Sequence, residues 1–265
     1  MNIIQSIILG IVQGLTEFLP VSSSGHLVLA ERILNIHRGD LVFEVMVHLG
    51  TLVAVLIYFR RQLGEMIRAL FSIFAPDKTM EQKHGLTMIG WLILGTIPAV
   101  IFGLALKDKI ELAFSSPRWT SGEFIVTGLM LIATIWAIDK GKNLNIFNTI
   151  IIGIAQAISI MPAISRSGST IAAGMFCGVN KEKAAEYSFL LSIPAISGAA
   201  ILEIPEMIRL LPTASVLWTY LAGTLVSGII GYLSIAWLLS IIKKGKFYYF
   251  GLYCILIGIL GLIFL

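Results

Sequence analysis

The sequence predicts an all-α polytopic membrane bundle, with about six full spans plus two re-entrant helical hairpins arranged as an inverted-topology repeat. Three observations carry that reading. Hydrophobic residues make up 57% of the chain and charged residues 13%, with a mean hydropathy of +0.91. Six apolar stretches are long enough to span a bilayer. Two serine-rich polar segments interrupt the apolar sequence, and they align with each other without a gap.

Composition sets the class. Soluble domains carry about a quarter charged residues; halving that and adding long apolar runs places the chain among membrane proteins. The stretches 41–59, 86–106, 120–138, 184–204, 214–239 and 247–265 approach the ~20 helical residues that a ~30 Å hydrocarbon core requires. Strand-like alternation is missing from the sequence, so helices are the expected spanning form. The net charge of +4 and pI of about 9.1 fit basic cytoplasmic loops better than nucleic-acid binding. Cys177 and Cys254 lie in different apolar segments without metal-ligand spacing, so both read as small buried hydrophobes. The N-terminus has neither a basic n-region nor a small-residue cleavage site, and no removable signal peptide is expected.

Loop charge orients the bundle. With 60–85, 139–146, 178–183 and 240–246 inside, twelve Lys and Arg residues are cytoplasmic; six, including Arg38, Lys107 and Lys109, are outside. That bias supports this orientation. Parity then makes 147–177 a hairpin that enters from the cytoplasm and returns to it. Each half, at about 15 residues or ~22 Å, is too short to cross. The segment 2–34 becomes a hairpin from the outside, and both chain termini lie outside. At an offset of 143, Gly10 meets Gly153, Gln13 meets Gln156, Thr16 meets Ser159, Ser22 meets Ser165, Ser24 meets Ser167 and Gly25 meets Gly168. Three crossings separate the hairpins, so repeat 1 (about 1–138) and repeat 2 (about 147–265) are inverted within one membrane domain. Such repeats place polar sites at their interface near the midplane.

The hairpins carry the candidate chemistry. In the first, Gln13 and Glu17 share a helix face. Pro20 should end the first half-helix near Leu19, and Ser22, Ser23 or Ser24 can cap a second running to about Leu34. Free N–H groups at such a start favour anions, and His26 can point into the same space. In the second, Pro162 precedes Ser165, Arg166, Ser167, Ser169 and Thr170. An arginine at membrane depth is costly and usually functional, and its planar fork suits phosphate or carboxylate. Together the tips make a site for a strongly anionic group, most naturally phosphate. Glu17 and His26 add acid–base capacity and a serine can serve as nucleophile. Glu17 also suits an ion pair with Arg166, and His26 suits a structural role as well as a catalytic one. Glu44 and His48 are expected to border the site, Glu186 begins the matching span of the second repeat, and His37 and His84 read as loop residues.

At these residues the chain resembles the undecaprenyl-diphosphate phosphatase family of the bacitracin-resistance type. The resemblance rests on Gln13 to Glu17, on Pro20 through His26, on Pro162 through Thr170, and on the span starts Phe43-Glu44 and Ala185-Glu186. The chain departs from the family pattern at two positions: Gln13 is an accepted variant of the first motif residue, and Ala163 stands where glycine is usual. The resemblance implies hydrolysis of undecaprenyl diphosphate to undecaprenyl phosphate and inorganic phosphate, recycling the lipid carrier for cell-wall synthesis. It implies a plasma-membrane protein with its site facing outward, and help from a divalent cation (Mg2+ or Ca2+) held by Glu17, with Gln13 weakening a ligand role at that position. It makes Glu17, Ser23, His26 and Arg166 the catalytic set, with Gln13, Ser22, Ser24, Ser165, Ser167 and Thr170 around the diphosphate. The expected partners are the polyprenyl diphosphate and membrane lipids. The oligomeric state stays open, a homodimer among the options. Whether Ser23 or a water activated by Glu17 attacks phosphorus also stays open. The rival reading is a polyprenyl-phosphate flippase or anion transporter using the same repeat interface; a structural subunit without a site of its own is the third.

Overall fold

A computed structural model describes residues 1–36, 40–106, 117–210 and 212–264. His37, Arg38, Lys107 and Lys109, assigned above to loops, lie outside the described residues. Among the described residues eleven α-helices carry the fold, and the only β pairing is an isolated parallel bridge between Lys142 and Val179.

The first hairpin is α1 (Ile3–Phe18) and α2 (Ser23–Ile33). Then come α3 (Leu41–Tyr58), α4 (Arg60–Phe71), α5 (Met80–Ala105) and α6 (Pro117–Ala133), the last extended by a 3-10 turn at Thr134–Trp136. The second hairpin is α7 (Ile146–Ile158) and α8 (Arg166–Phe176). The chain ends with α9 (Lys181–Arg209), α10 (Ala214–Lys243) and α11 (Tyr249–Phe264).

Five of these helices are long and apolar enough to cross a membrane: α3, α5, α6 with its 3-10 turn, α9 and α10. The protein is therefore a multi-pass helical bundle. The sixth expected span is shorter than the sequence suggests. Helix α11 has 16 residues, about 24 Å at 1.5 Å per residue. Helix α5 begins six residues before the expected span, where Thr79 and Gln82 exchange hydrogen bonds in a capping box. His84 therefore lies in a helix. The segment 60–85 is not simply a loop. Met66 and Ala69 give α4 a buried face, and Gly85 of α5 lets Ala69 come close.

Local signals at the hairpins hold. Helix α1 stops at Phe18, with Leu19 extended before Pro20. Ser22 caps α2 by accepting from the Gly25 N–H (3.4 Å), and Ser165 caps α8 by accepting from the Gly168 N–H (3.0 Å). The two caps are 143 residues apart. Cys254 is buried as expected, but Cys177 is only partly so, because it ends α8 beside the Lys142–Val179 bridge.

The halves pack by exchange. Helix α1 lies on α10, where the backbones of Gly10 and Gly223 touch. Helix α7 lies on α5, where a Cβ on Gly153 would fall 2.8 Å from the Gly95 carbonyl oxygen. Small residues permit such approaches between membrane helices. Helices α6 and α11, the last of each half, pack on each other. Beneath the hairpin tips the core is aromatic: Phe18 meets Phe189 edge-on at 5.7 Å, and Phe189 meets Phe59 at 6.2 Å.

Candidate active site

The tips of the two hairpins are tied reciprocally. Ser24 Oγ donates to the Pro162 carbonyl, and Ser167 Oγ donates to the Leu19 carbonyl at 3.0 Å. The two bonds exchange under the repeat: Ser167 lies 143 positions after Ser24, and Leu19 lies 143 positions before Pro162. Ser22 Oγ also donates to the Pro162 carbonyl, at 3.0 Å. These bonds supply donors to carbonyls of irregular backbone that has no helical partner. Ser22 itself has φ of +66°, a left-handed conformation that costs a non-glycine residue about 1–3 kcal/mol.

On this junction sits a buried ion pair. Glu17, at the end of α1, is 8% exposed. Its Oε1 accepts from Arg166 Nη2 at 2.6 Å. Its Oε2 accepts from Ser23 Oγ at 2.7 Å and from Gln13 Nε2 at 3.0 Å. His48 Nε2 lies 3.6 Å from the same oxygen, while its Nδ1–H donates to the Glu44 carbonyl at 2.8 Å. Arg166 Nη1 also donates to the Ser188 carbonyl, at 3.3 Å. A guanidinium carries five N–H groups, so this arrangement leaves donors for an anion.

The pair borders a cavity of about 480 Å³. Glu17, Ser22, Ser23, Ser24, Ser165 and Arg166 line it from the hairpins. Glu44 and His48 line it from α3, and Ala195, Ile196, Ala199, Ala200 and Glu203 from α9. Helices α2 and α8 both begin at this cavity, so the positive ends of two dipoles favour anions there.

Four expected site residues lie elsewhere. Gln13 is fully buried behind Glu17. Ser167 holds the Leu19 carbonyl, and Thr170 Oγ1 pairs with Ser188 Oγ at 2.6 Å. None of the three is in the cavity wall. His26 does not share the cavity either, contrary to expectation. Its ring stacks on Tyr253 at 5.6 Å and meets Phe124 edge-on at 5.2 Å. Its Nδ1–H donates to the Ser22 carbonyl (2.7 Å), and Nε2 accepts from the Tyr253 hydroxyl (2.7 Å). The aromatic slot between α6 and α11 draws the ring away from Glu17.

Helix α6 adds residues that sequence reading missed. Glu123 Oε2 accepts from the Ala163 N–H at 3.1 Å. Thr127 Oγ1 donates to the Ala163 carbonyl (3.0 Å) and accepts from the Ser165 N–H (3.3 Å). One helix face thus satisfies three backbone groups just ahead of Arg166. The available signal was Glu123 itself, the one carboxylate in the stretch 120–138. Thr16 and Ser159, a matched pair at offset 143, both line the cavity.

These residues do not fit a divalent cation held in a protein cage. The carboxylate of Glu17 faces three donors, from Arg166, Ser23 and Gln13. Gln13 turns its N–H, not its oxygen, toward Glu17. Among the described residues no three His, Cys, Asp or Glu side chains converge.

The fold and this arrangement define a class: a helical multi-pass membrane protein whose two hairpin tips enclose a polar cavity bordered by a buried arginine–glutamate pair. The chain belongs to the family of the bacitracin resistance protein BacA, which it matches over residues 6–260. Full-length relatives agree. It is 40% identical over 273 residues to an undecaprenyl-diphosphatase of Desulforapulum autotrophicum, covering 99% of this chain and 98% of the relative. It is 41% identical over 261 residues to the undecaprenyl-diphosphatase of Treponema denticola, covering 98% and 96%. A third undecaprenyl-diphosphatase, from Methanosphaera stadtmanae, is 42% identical over 275 residues, covering 99% and 98%.

Proposed function

We infer that this protein hydrolyses undecaprenyl diphosphate to undecaprenyl phosphate and inorganic phosphate, and so confers bacitracin resistance. Full-length identity of about 40% to undecaprenyl-diphosphatases supports the activity. The observation that carries the mechanism is the Arg166–Glu17–Ser23 chain, with links of 2.6 and 2.7 Å.

In this reading the free N–H groups of Arg166 and the starts of α2 and α8 hold the diphosphate. Ser23 Oγ attacks the terminal phosphorus, and Glu17 takes its proton. The anhydride P–O bond breaks and undecaprenyl phosphate leaves. Water then attacks the phosphoserine, releasing phosphate and restoring Ser23. Phosphoryl transfer of this kind is mostly positioning and charge stabilisation. His26 acts through Ser22, fixing the strained start of α2. A divalent cation would have to arrive with the diphosphate, since the Glu17 carboxylate is already met by Arg166, Ser23 and Gln13. Direct attack by a water activated by Glu17 is the alternative for the nucleophile.

The chain is read as one plasma-membrane domain of two inverted repeats, with α1–α2 and α7–α8 as re-entrant hairpins from opposite sides. Support comes from helix lengths of 16, 11, 13 and 11 residues and from the exchange-related bonds at the tips. The cavity is bordered by the start of α3 and the second half of α9, which loop charge assigns to the outer side. The test is phosphate release from undecaprenyl diphosphate by the purified protein in detergent, beside Glu17→Ala, Ser23→Ala and Arg166→Ala. Detergent micelles have no second compartment, so a pure transporter would release nothing.

A further inference from the structure

We propose that an apolar groove between α5 and α9 holds the prenyl chain of the substrate. This rests on the function proposed above and adds a second subsite to it. The groove has a volume of about 450 Å³ and is lined by Ile93, Thr96, Ile97 and Val100 of α5 and by Ile193 and Pro194 of α9, among others. Its polar side chain here, Thr96, spends its hydroxyl on the Leu92 carbonyl at 2.7 Å. The wall therefore offers apolar contact and no free hydrogen-bonding group from these residues.

Two further observations tie this groove to the anion site. The first is proximity along α9. Ile193 and Pro194 directly precede Ala195 and Ile196, which line the polar cavity. Cavity and groove flank the same turn of α9, and Ala195, Ala199 and Ala200 keep that helix thin on its cavity side. An amphiphile whose diphosphate sits by Arg166 finds apolar surface one helix face away.

The second is broken symmetry. Exchange of the halves relates the α5–α9 pair to α10–α3. That second pair is closed. Gly50 of α3 lies against the backbone of Thr224, a Cβ there would come 3.3 Å from the Gly228 nitrogen, and Ser227 Oγ donates to the Val47 carbonyl at 2.9 Å. The α5–α9 pair closes where Gly95 meets the Tyr187 and Leu191 side chains; along the groove it presents branched side chains and the Pro194 ring. A proline inside a helix removes a backbone bond and displaces the preceding turn. The groove thus occurs on one side of the repeat only, beside a cavity whose hairpin acid, Glu17, is likewise one-sided: its counterpart at offset 143 is Ile160. From Ile89 to Ile101 the groove follows about 18 Å of α5 at 1.5 Å per residue, room for a chain and not merely its first unit. Lipid tails are as apolar as leucine, so the groove's contribution is shape and direction more than raw affinity.

The experiment is photo-crosslinking in nanodiscs of wild-type protein with a polyprenyl diphosphate bearing a diazirine on its chain. Adducts are expected on residues 93–101 and 193–194, competed by unlabelled undecaprenyl diphosphate and not by a phospholipid. Adducts elsewhere, or adducts competed equally by phospholipid, overturn the proposal: the groove then holds a bilayer lipid only. A second measurement uses Ile97→Trp and Ile193→Trp. KM for undecaprenyl diphosphate should rise on the order of tenfold, while inhibition by inorganic diphosphate, which has no tail, keeps its constant. An unchanged KM in folded variants counts against the groove. Absence of phosphate release from wild type sinks the phosphatase reading instead, so the two failures are distinguishable.

Discussion

Arg166 and Glu17, 149 positions apart in the chain, close a 2.6 Å ion pair where the two hairpins meet. Both groups are largely buried, with side-chain exposures of 15% and 7%. Removing one partner of such a pair leaves an uncompensated buried charge, at about 3–5 kcal/mol. Arg166→Ala should therefore lose both activity and stability. The combination Glu17→Gln with Arg166→Met should regain thermal stability in detergent but no phosphate release. Recovery of activity by the neutral pair would show that the pair is only structural.

Arg166→Lys should behave more like alanine than like arginine. The guanidinium reaches the Glu17 carboxylate and the Ser188 carbonyl at once, and an ammonium cannot reproduce that fork. We expect a loss of about 10²–10³-fold in kcat. Near-wild-type turnover by lysine would mean that charge alone suffices.

Ser23 donates to Glu17 at 2.7 Å, the geometry of a nucleophile beside its base. Rapid quench with labelled diphosphate should trap phosphoserine at position 23, and Ser23→Ala should abolish it. Undiminished turnover without any phosphoserine assigns the attack to water.

His26 should act through its N–H. Its Nδ1–H holds the carbonyl of Ser22, the residue at φ +66°. Asparagine can offer an N–H near the same place, so His26→Asn should retain more activity than His26→Ala. Tyr253→Phe removes one bond to Nε2 and should cost about 1 kcal/mol. If asparagine is as inactive as alanine, the imidazole does chemistry of its own.

The clamp on α6 makes a similar prediction. Glu123→Gln keeps an acceptor for the Ala163 N–H and should keep most activity. Glu123→Leu and Thr127→Val orphan buried backbone groups, at about 1–3 kcal/mol each, and should displace Arg166. The readout is kcat/KM beside thermal unfolding. Equal effects of glutamine and leucine at 123 would remove the clamp from the account.

Glycines divide by what they face. Gly10→Ala and Gly153→Ala place a methyl against the backbone of the exchange-related partner helix and should destabilise by about 1–3 kcal/mol. Gly64 of α4 has open space around it, so Gly64→Ala should be neutral or stabilising by up to ~1 kcal/mol.

Local features were legible in sequence because their causes are local. Pro20 stops α1 by clashing with the residue before it, and Ser22 and Ser165 cap helices with their own hydroxyls. The apolar runs mark the long helices, and the offset of 143 marks the paired hairpins. Sequence even placed Glu17 with Arg166 and Ser23, since both tips are short and polar inside an apolar chain. It misjudged the length of α11 and overlooked α4, whose buried face depends on α5.

What sequence left undetermined is direction. Hydropathy reports that a residue leaves water but not which way it points around a helix axis. Ser23 and His26 both belong to the first turn of α2, yet one faces Glu17 and the other an aromatic slot made by Phe124 and Tyr253, from α6 and α11. Gln13 and Thr170 turn inward to hold helices, while Glu203, from a distant span, joins the expected Glu44 and His48 in the cavity wall. The one-residue signals alone settled where helices start and stop and which segments are polar. Tertiary packing decided which polar atoms meet, because each buried donor takes the acceptor that a neighbouring helix offers it, and those neighbours are assembled only when the chain folds.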